Sequence, residues 1–182
     1  MLPTDTVYGL CGDPHGDVAA SEIYRLKQRP SAQPFALLAR DVETLLELVP
    51  ELPRGPLEAL LPGPYTLVLA NPARRFRRLT GSAPDTIGIR VPKLEGPAAE
   101  VLAQVGAVVA TSANLHGGPE VRTLEDVPGE IRSGAAALVD GGVLPGTPST
   151  VLELTGEEPR VLREGAVPAA VALEQAAAAF GR

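Results

Sequence analysis

Between residues 86 and 91 the chain reads Thr-Ile-Gly-Ile-Arg-Val, and this alternation narrows what the molecule can fold into. Residues two apart in a β-strand share a face, so Ile87, Ile89 and Val91 line one side and Thr86, Gly88 and Arg90 the other. The first side belongs in a core. The second is a poor surface for structural purposes, because glycine weakens a strand interior and often marks the close approach of a ligand or another backbone. The strand is therefore read as carrying core on one face and a site on the other.

Other apolar runs have strand length: 35–39, 65–70, 107–110, 135–140, 150–154 and 160–163, with a β-rich run over 4–10 closed by glycines near Gly12. Helical spacing marks 18–29, where Ile23 and Leu26 turn inward, Asp17 or Ser21 stands at the capping position and Pro30 ends the run. Residues 42–49, with Leu45, Leu46 and Leu48 inward, 55–61 and 96–105 read as further helices. A last alanine-rich helix begins at Pro168, proline being favoured in a first turn, and runs to Phe180. Strands and helices alternate irregularly without an internal repeat or a linker. One mixed α/β domain over residues 1–182 is expected, built on an open twisted sheet.

Composition removes several function classes. The formal charge of −6 does not suit a protein that binds duplex nucleic acid by counterion release over a whole face, so any anion site must be local. Cys11 is the only cysteine, which excludes an intrachain disulfide and a cysteine-rich zinc site and reads as a small core residue; with His15 and His116 the only histidines, no metal site is expected. Asp13, His15 and Asp17 could hold a cation but read more readily as a solvated loop entering a helix, and no run approaches the roughly 18 apolar residues of a membrane span. Without a basic, then apolar, leader the chain reads as soluble and cytoplasmic.

Four segments are candidates for chemistry. Lys27 and Arg29 close the first helix, where the macrodipole favours cations by roughly 0.3–1 kcal/mol each; the same pair, aimed into a cleft by Pro30, would neutralise phosphates. Residues 110–114, Ala-Thr-Ser-Ala-Asn, follow an apolar strand, where ligands of open α/β sheets collect, although Ser and Asn also favour plain turns. Residues 148–151, Pro-Ser-Thr-Val, sit at another strand edge, and 86–92 completes the set. No Walker loop, Gly-x-Gly-x-x-Gly turn or Gly-x-Ser-x-Gly elbow is present. The Arg74–Arg78 block, with one aromatic ring in Phe76, reads as a solvated loop more readily than as an RNA surface.

Taken in order, the segments at 3–10 (Pro-Thr-Asp-Thr-Val-Tyr-Gly-Leu), 27–30 (Lys-Gln-Arg-Pro), 62–66 (Pro-Gly-Pro-Tyr-Thr), 86–92, 110–114, 148–151 and 163–165 (Arg-Glu-Gly) resemble the YrdC family of threonylcarbamoyl-AMP synthases. The resemblance implies an open twisted mixed parallel/antiparallel sheet flanked by helices, with a basic concave site. It implies a nucleotidyltransferase that makes threonylcarbamoyl-AMP and pyrophosphate from L-threonine, bicarbonate and ATP, for threonylcarbamoyladenosine modification of tRNA beside the anticodon. By the family's pattern Thr6, Arg90, Ala110 and Ser149 hold L-threonine, with Arg90 on its carboxylate. Lys27, Arg29, Gln33, Thr86, Ser112, Asn114 and Arg163 hold ATP, and Lys27 and Arg29 carry the catalytic charge. Mg2+ would travel with the nucleotide, and the product would pass to the proteins that transfer threonylcarbamoyl to tRNA.

Three positions depart from the pattern: Gln33 replaces a common Asn, Leu38 an occasional His and His116 a common Ser or Thr. Family members also carry their first strand ahead of the Pro-Thr-Asp-Thr motif, which here follows Met1 almost directly, so that strand is expected to be missing or truncated. Two rivals use the same scaffold. One is an RNA-binding protein of ribosome or rRNA maturation, gripping double-stranded RNA in a basic concavity; the other is a carbamoyl-adenylate domain of hydrogenase maturation.

Overall fold

A computed structural model describes residues 1–30 and 33–181. Its strands are β1 (Leu2–Pro3), β2 (Tyr8–Gly12), β3 (Ala36–Ala39), β4 (Tyr65–Ala70), β5 (Thr86–Arg90), β6 (Ala107–Ser112), β7 (Thr150–Glu153) and β8 (Arg160–Arg163). Its helices are α1 (Asp17–Lys27), α2 (Val42–Leu48), α3 (Arg54–Leu60), α4 (Arg77–Thr80), α5 (Gly96–Val105), α6 (Gly129–Gly134) and α7 (Ala169–Ala179). All eight strands join one sheet in the order β1-β2-β6-β3-β5-β4-β7-β8. The β3–β5 and β4–β7 pairs are parallel and the others antiparallel, so the sheet is mixed as expected.

The alternation at 86–91 holds across the sheet. Tyr8, Leu10, Leu37, Leu67, Leu69, Ile87, Ile89, Val109 and Leu152 all point into one core. There they meet Ile23 and Leu26 of α1, Leu45 of α2, Leu57 and Leu60 of α3, and Ala172 and Ala176 of α7. Leu37, Leu67, Ile89 and Leu152 are wholly buried, each worth roughly 1.5–3 kcal/mol of apolar transfer. The alternate residues are small or polar and emerge on the opposite face. Helix α5 covers part of that face, placing Leu102 over Leu38, Val108 and Ala110. A concavity is left beside it.

Several local expectations are corrected. Residues 4–7 are a turn, not strand: Thr4 Oγ1 donates to Val7 O at 2.6 Å and accepts from the Thr6 and Val7 N–H groups at 3.3 and 3.2 Å. Such side-chain bonds compete with a strand ladder; the strand begins only at Tyr8, and the turn separates it from the short β1 before the predicted run. Residues 135–140 form no strand. Their bonds go to Met1, whose ammonium donates to Ala137 O at 2.7 Å and whose carbonyl accepts from Val139 N–H at 3.1 Å. Helix α6 had no periodic signal beyond Ile131, the one residue it buries. Helix α1 is capped by Gly16 with no side-chain bond and ends before Pro30, at Gln28, whose left-handed backbone (φ 51°) closes it. Pro168 is the N-cap of α7 rather than part of its first turn. In the arginine block, Arg74 pairs with Asp85 at 2.7 Å and Arg75 with Glu51 at 2.8 Å. Among the described residues, no helix is long and apolar enough to cross a membrane.

The link from β8 to α7 is strapped onto the start of β7. Thr150 Oγ1 accepts from Gly165 and Val167 N–H at 3.1 and 3.0 Å, and Ala166 N–H donates to Pro148 O at 2.8 Å. The approach is so close that a Cβ on Gly165 would lie 2.2 Å from Pro148 O and 2.6 Å from the Ser149 carbonyl carbon. Gly165→Ala must therefore displace backbone, at an expected cost of about 1–3 kcal/mol. Each kcal/mol lowers Tm by roughly 2–4 °C in a chain of this size. Thermal unfolding monitored by circular dichroism checks this, and a wild-type Tm would contradict the strap.

Candidate active site

The uncovered sheet face bounds a cavity of about 350 Å3, within the roughly 300–1,000 Å3 range of small-molecule sites. Its floor alternates exactly where the core does not: Gly9 from β2, Ala36 and Leu38 from β3, Thr66 and Val68 from β4, Thr86, Gly88 and Arg90 from β5. A Cβ on Gly88 would meet only ordinary contacts, the nearest being Phe35 O at 3.5 Å. Its missing side chain therefore leaves room in the cavity rather than relieving a clash.

Of the residues singled out from sequence, Arg29, Thr86, Arg90, Ala110, Ser112, Ser149 and Arg163 line this one cavity. Arg29 reaches it from beyond α1, where the left-handed Gln28 turns the chain. Its Nε donates to Gln33 Oε1 at 2.8 Å, Nη1 to Thr111 Oγ1 at 3.1 Å and Nη2 to Pro34 O at 2.9 Å. The guanidinium also lies over the Phe35 ring, 5.1 Å from its centroid. Arg163 arrives from the far edge of the sheet and donates to Ser149 O through Nη2 at 2.8 Å; Ser149 Oγ in turn shares a hydrogen bond with Thr66 Oγ1 at 2.8 Å. Arg90 stands between them, its Nη2 donating to Thr6 Oγ1 at 2.8 Å and pairing with the Asp5 carboxylate. The Arg90 Nε is buried without a partner.

Thr6, Lys27, Gln33 and Asn114 do not line the cavity but each bonds to a residue that does: Arg90, Ser112, Arg29 and Ser112 respectively. Lys27 is buried, 3% exposed. Its ammonium donates to Ser112 O and Asn114 O, both at 2.5 Å, and to Asn114 Oδ1 at 3.1 Å. Asn114 Oδ1 also accepts from Ser112 Oγ at 2.6 Å. Lys27 thus pins the loop after β6 from behind. Burial, then the neighbouring Arg29 charge, push this ammonium down to about 8, against the pull of the Glu120 carboxylate. Burial likewise lowers the Arg29 and Arg163 guanidiniums from their ordinary values.

Other residues belong here that the sequence reading did not select. Thr66 was legible in principle, since period two from Tyr65 puts it on the open face. Asp5 lay inside a quoted motif without a role. Glu120 gave no signal at all: its Oε2 is buried without a partner and its charge acts on both Lys27 and Arg163. Among the described residues no Asp, Glu or His lines the cavity, and no group of three or more metal-binding side chains occurs. The site can therefore bind and align anions, with hydroxyls and backbone beside three guanidiniums.

Comparison with known proteins bears on this geometry. The family model Sua5/YciO/YrdC, described as telomere recombination, matches residues 1–165. A Bacillus subtilis threonylcarbamoyl-AMP synthase is 34% identical over 173 residues, covering 91% of this chain and 49% of that protein. An Escherichia coli (strain HS) threonylcarbamoyl-AMP synthase is 34% identical over 165 residues, covering 85% of this chain and 84% of its own. The crystal structure of Pyrococcus abyssi Sua5 complexed with L-threonine superposes with a TM-score of 0.82 at 31% identity, over 98% of this chain and 52% of that one. This chain thus spans about half the length of some relatives and most of others.

Lys27→Met keeps the bulk of the stem but leaves the Ser112 and Asn114 carbonyls short of a donor. Each orphaned buried group costs about 1–3 kcal/mol, so the variant should lose stability as well as charge. Urea unfolding should show a lower midpoint with an unchanged m-value; a wild-type midpoint would mean that Lys27 does not pin the loop.

Proposed function

Because the chain belongs to the Sua5/YciO/YrdC family, we propose that it is an L-threonylcarbamoyladenylate synthase, joining L-threonine, bicarbonate and ATP in the service of tRNA modification. The observation that carries this reading is the convergence of Arg29, Arg90 and Arg163, from three distant parts of an acidic chain, on one cavity.

The reaction has two steps. The threonine amine first takes up bicarbonate carbon, losing water, to give a carbamate. A carbamate oxygen then attacks the α-phosphorus of ATP, the bond to the β-phosphate oxygen breaks, and pyrophosphate leaves. Both steps gather negative charge, and the second needs alignment more than covalent help. Arg90 would hold the amino-acid carboxylate, with Thr6 behind it and Ala110 and Ser149 beside it. Arg29 and Arg163, with Thr86 and Ser112, would hold the nucleotide, backed by Lys27, Gln33 and Asn114. Guanidiniums already fixed by carbonyls and hydroxyls cost little reorganisation when charge develops. The described residues supply no cage for Mg2+, so the ion would enter on the phosphates of its nucleotide. We place the work in the cytoplasm, with the adenylate passing to the proteins that modify tRNA.

The direct experiment is mass-spectrometric detection of threonylcarbamoyl-AMP, together with pyrophosphate release, from purified protein. Product is expected only when threonine, bicarbonate and ATP are all present. RNA binding that falls steeply with salt, without any such product, would favour the RNA-binding rival.

Two predictions follow from the charges. Arg90→Ala should raise the threonine KM at least tenfold, leaving the ATP KM within about twofold; a tenfold change corresponds to roughly 1.4 kcal/mol. Equal shifts in both would contradict its assignment. As pH rises through about 8, Lys27 loses its proton and the wall behind Ser112 loses a charge. ATP affinity measured by calorimetry should therefore weaken between pH 7 and 9, whereas a flat profile would remove Lys27 from phosphate binding.

A further inference from the structure

We infer that Asp5 is a positioning residue for the Arg90 guanidinium, setting the orientation in which Arg90 receives the carboxylate of the amino-acid substrate. The inference rests on the reading of Arg90 given above and extends it to a residue that does not line the cavity.

The geometry has three parts. Asp5 Oδ1 pairs with Arg90 Nη2, and Asp5 Oδ2 accepts the Lys93 N–H at 3.1 Å. The carboxylate is thus a bridge between the Arg90 side chain and the backbone just beyond β5. The same Nη2 donates to Thr6 Oγ1 at 2.8 Å. Thr6 and Asp5 both lie in the turn that Thr4 Oγ1 closes through Val7 at 2.6 Å. The turn between β1 and β2 therefore holds one nitrogen of Arg90 from two directions.

A pair made for stability alone would look different. The two side chains are only 9% and 14% exposed. Burying an ion pair is often no better for stability than apolar packing, because desolvation offsets the attraction. Arginine and a carboxylate also commonly meet through two parallel bonds. Here Asp5 spends its second oxygen on backbone, and Arg90 Nε is left buried with no acceptor. The chain thereby fixes the guanidinium while leaving its donors incompletely used, in a residue that faces the cavity. Without the Asp5 charge, Arg90 would retain Thr6 but lose the carboxylate that fixes the same nitrogen.

Asp5→Asn, Asp5→Glu and Arg90→Ala test this in one series, with kcat, the two KM values and Tm measured for each. Asp5→Asn should raise the threonine KM about tenfold with the ATP KM and kcat within twofold of wild type. Asp5→Glu keeps the charge but displaces it by one methylene, and should raise the threonine KM in the same selective way; it carries the test should Asp5→Asn not fold. Calorimetric titration of threonine into each folded variant should show the same loss of affinity. A wild-type threonine KM in either folded Asp5 variant overturns the inference. So does a parallel rise in both KM values with lowered Tm, the signature of a merely structural pair. If Arg90→Ala shifts the threonine KM while Asp5→Asn does not, only the Asp5 role is lost. If Arg90→Ala itself leaves threonine unaffected, the reading of Arg90 fails first and takes Asp5 with it.

Discussion

A sheet whose two faces have opposite duties governs everything else in this protein. Period-two alternation sends Leu37, Leu67, Ile87, Ile89 and Leu152 towards helices on one side. The intervening residues then emerge together on the other side, whether or not they serve stability. The larger cluster lies on the helix-covered side and a small one under α5 on the other, so the sheet is stabilised chiefly from one direction. The open face is free to carry glycine, threonine and arginine. Slipping one strand by a single residue would exchange core for site along its whole length, so the same contacts that fold the chain also set the register of the cavity.

Charge is concentrated on that face at a cost. Three guanidiniums share one cavity, and burial disfavours the charged state of Arg29 and Arg163. Carbonyls and hydroxyls hold them in place: Pro34 O and Thr111 Oγ1 for Arg29, Ser149 O for Arg163. Neutral acceptors orient a cation without cancelling its field. Arg90 pairs with a carboxylate, that of Asp5, which stands outside the cavity lining. Three guanidiniums thus gather in one cavity of a chain of formal charge −6. Such a gathering suits chemistry in which a carboxylate, a carbamate and a triphosphate must lie side by side.

How far the sequence could be read follows from the range of the interactions involved. Residues 96–105 and 160–163 matched helix and strand to the residue, because local periodicity and turn chemistry decide them. The face occupied by Thr86, Gly88 and Arg90 was legible for the same reason. The turn at Thr4–Val7 was missed because a side-chain oxygen replaces ladder bonds there, and residues 135–140 fell short of a strand for want of a partner longer than Met1. The placement of Lys27 behind the wall was beyond local reasoning. It depends on the left-handed Gln28, which separates Lys27 from Arg29, and on carbonyls 85 and 87 residues away. Glu120 likewise acquires meaning only when β8 brings Arg163 across the sheet. Ordered motifs compensated for this, since they pointed to residues that long-range pairing then gathered.

The decisive measurement is a crystal structure of the protein with L-threonine and a non-hydrolysable ATP analogue. Both ligands are expected within the cavity on the open sheet face, the amino-acid carboxylate on Arg90 and the phosphates between Arg29 and Arg163. Ligands on the helix-covered side, or phosphates remote from both arginines, would rule out a site on the open face.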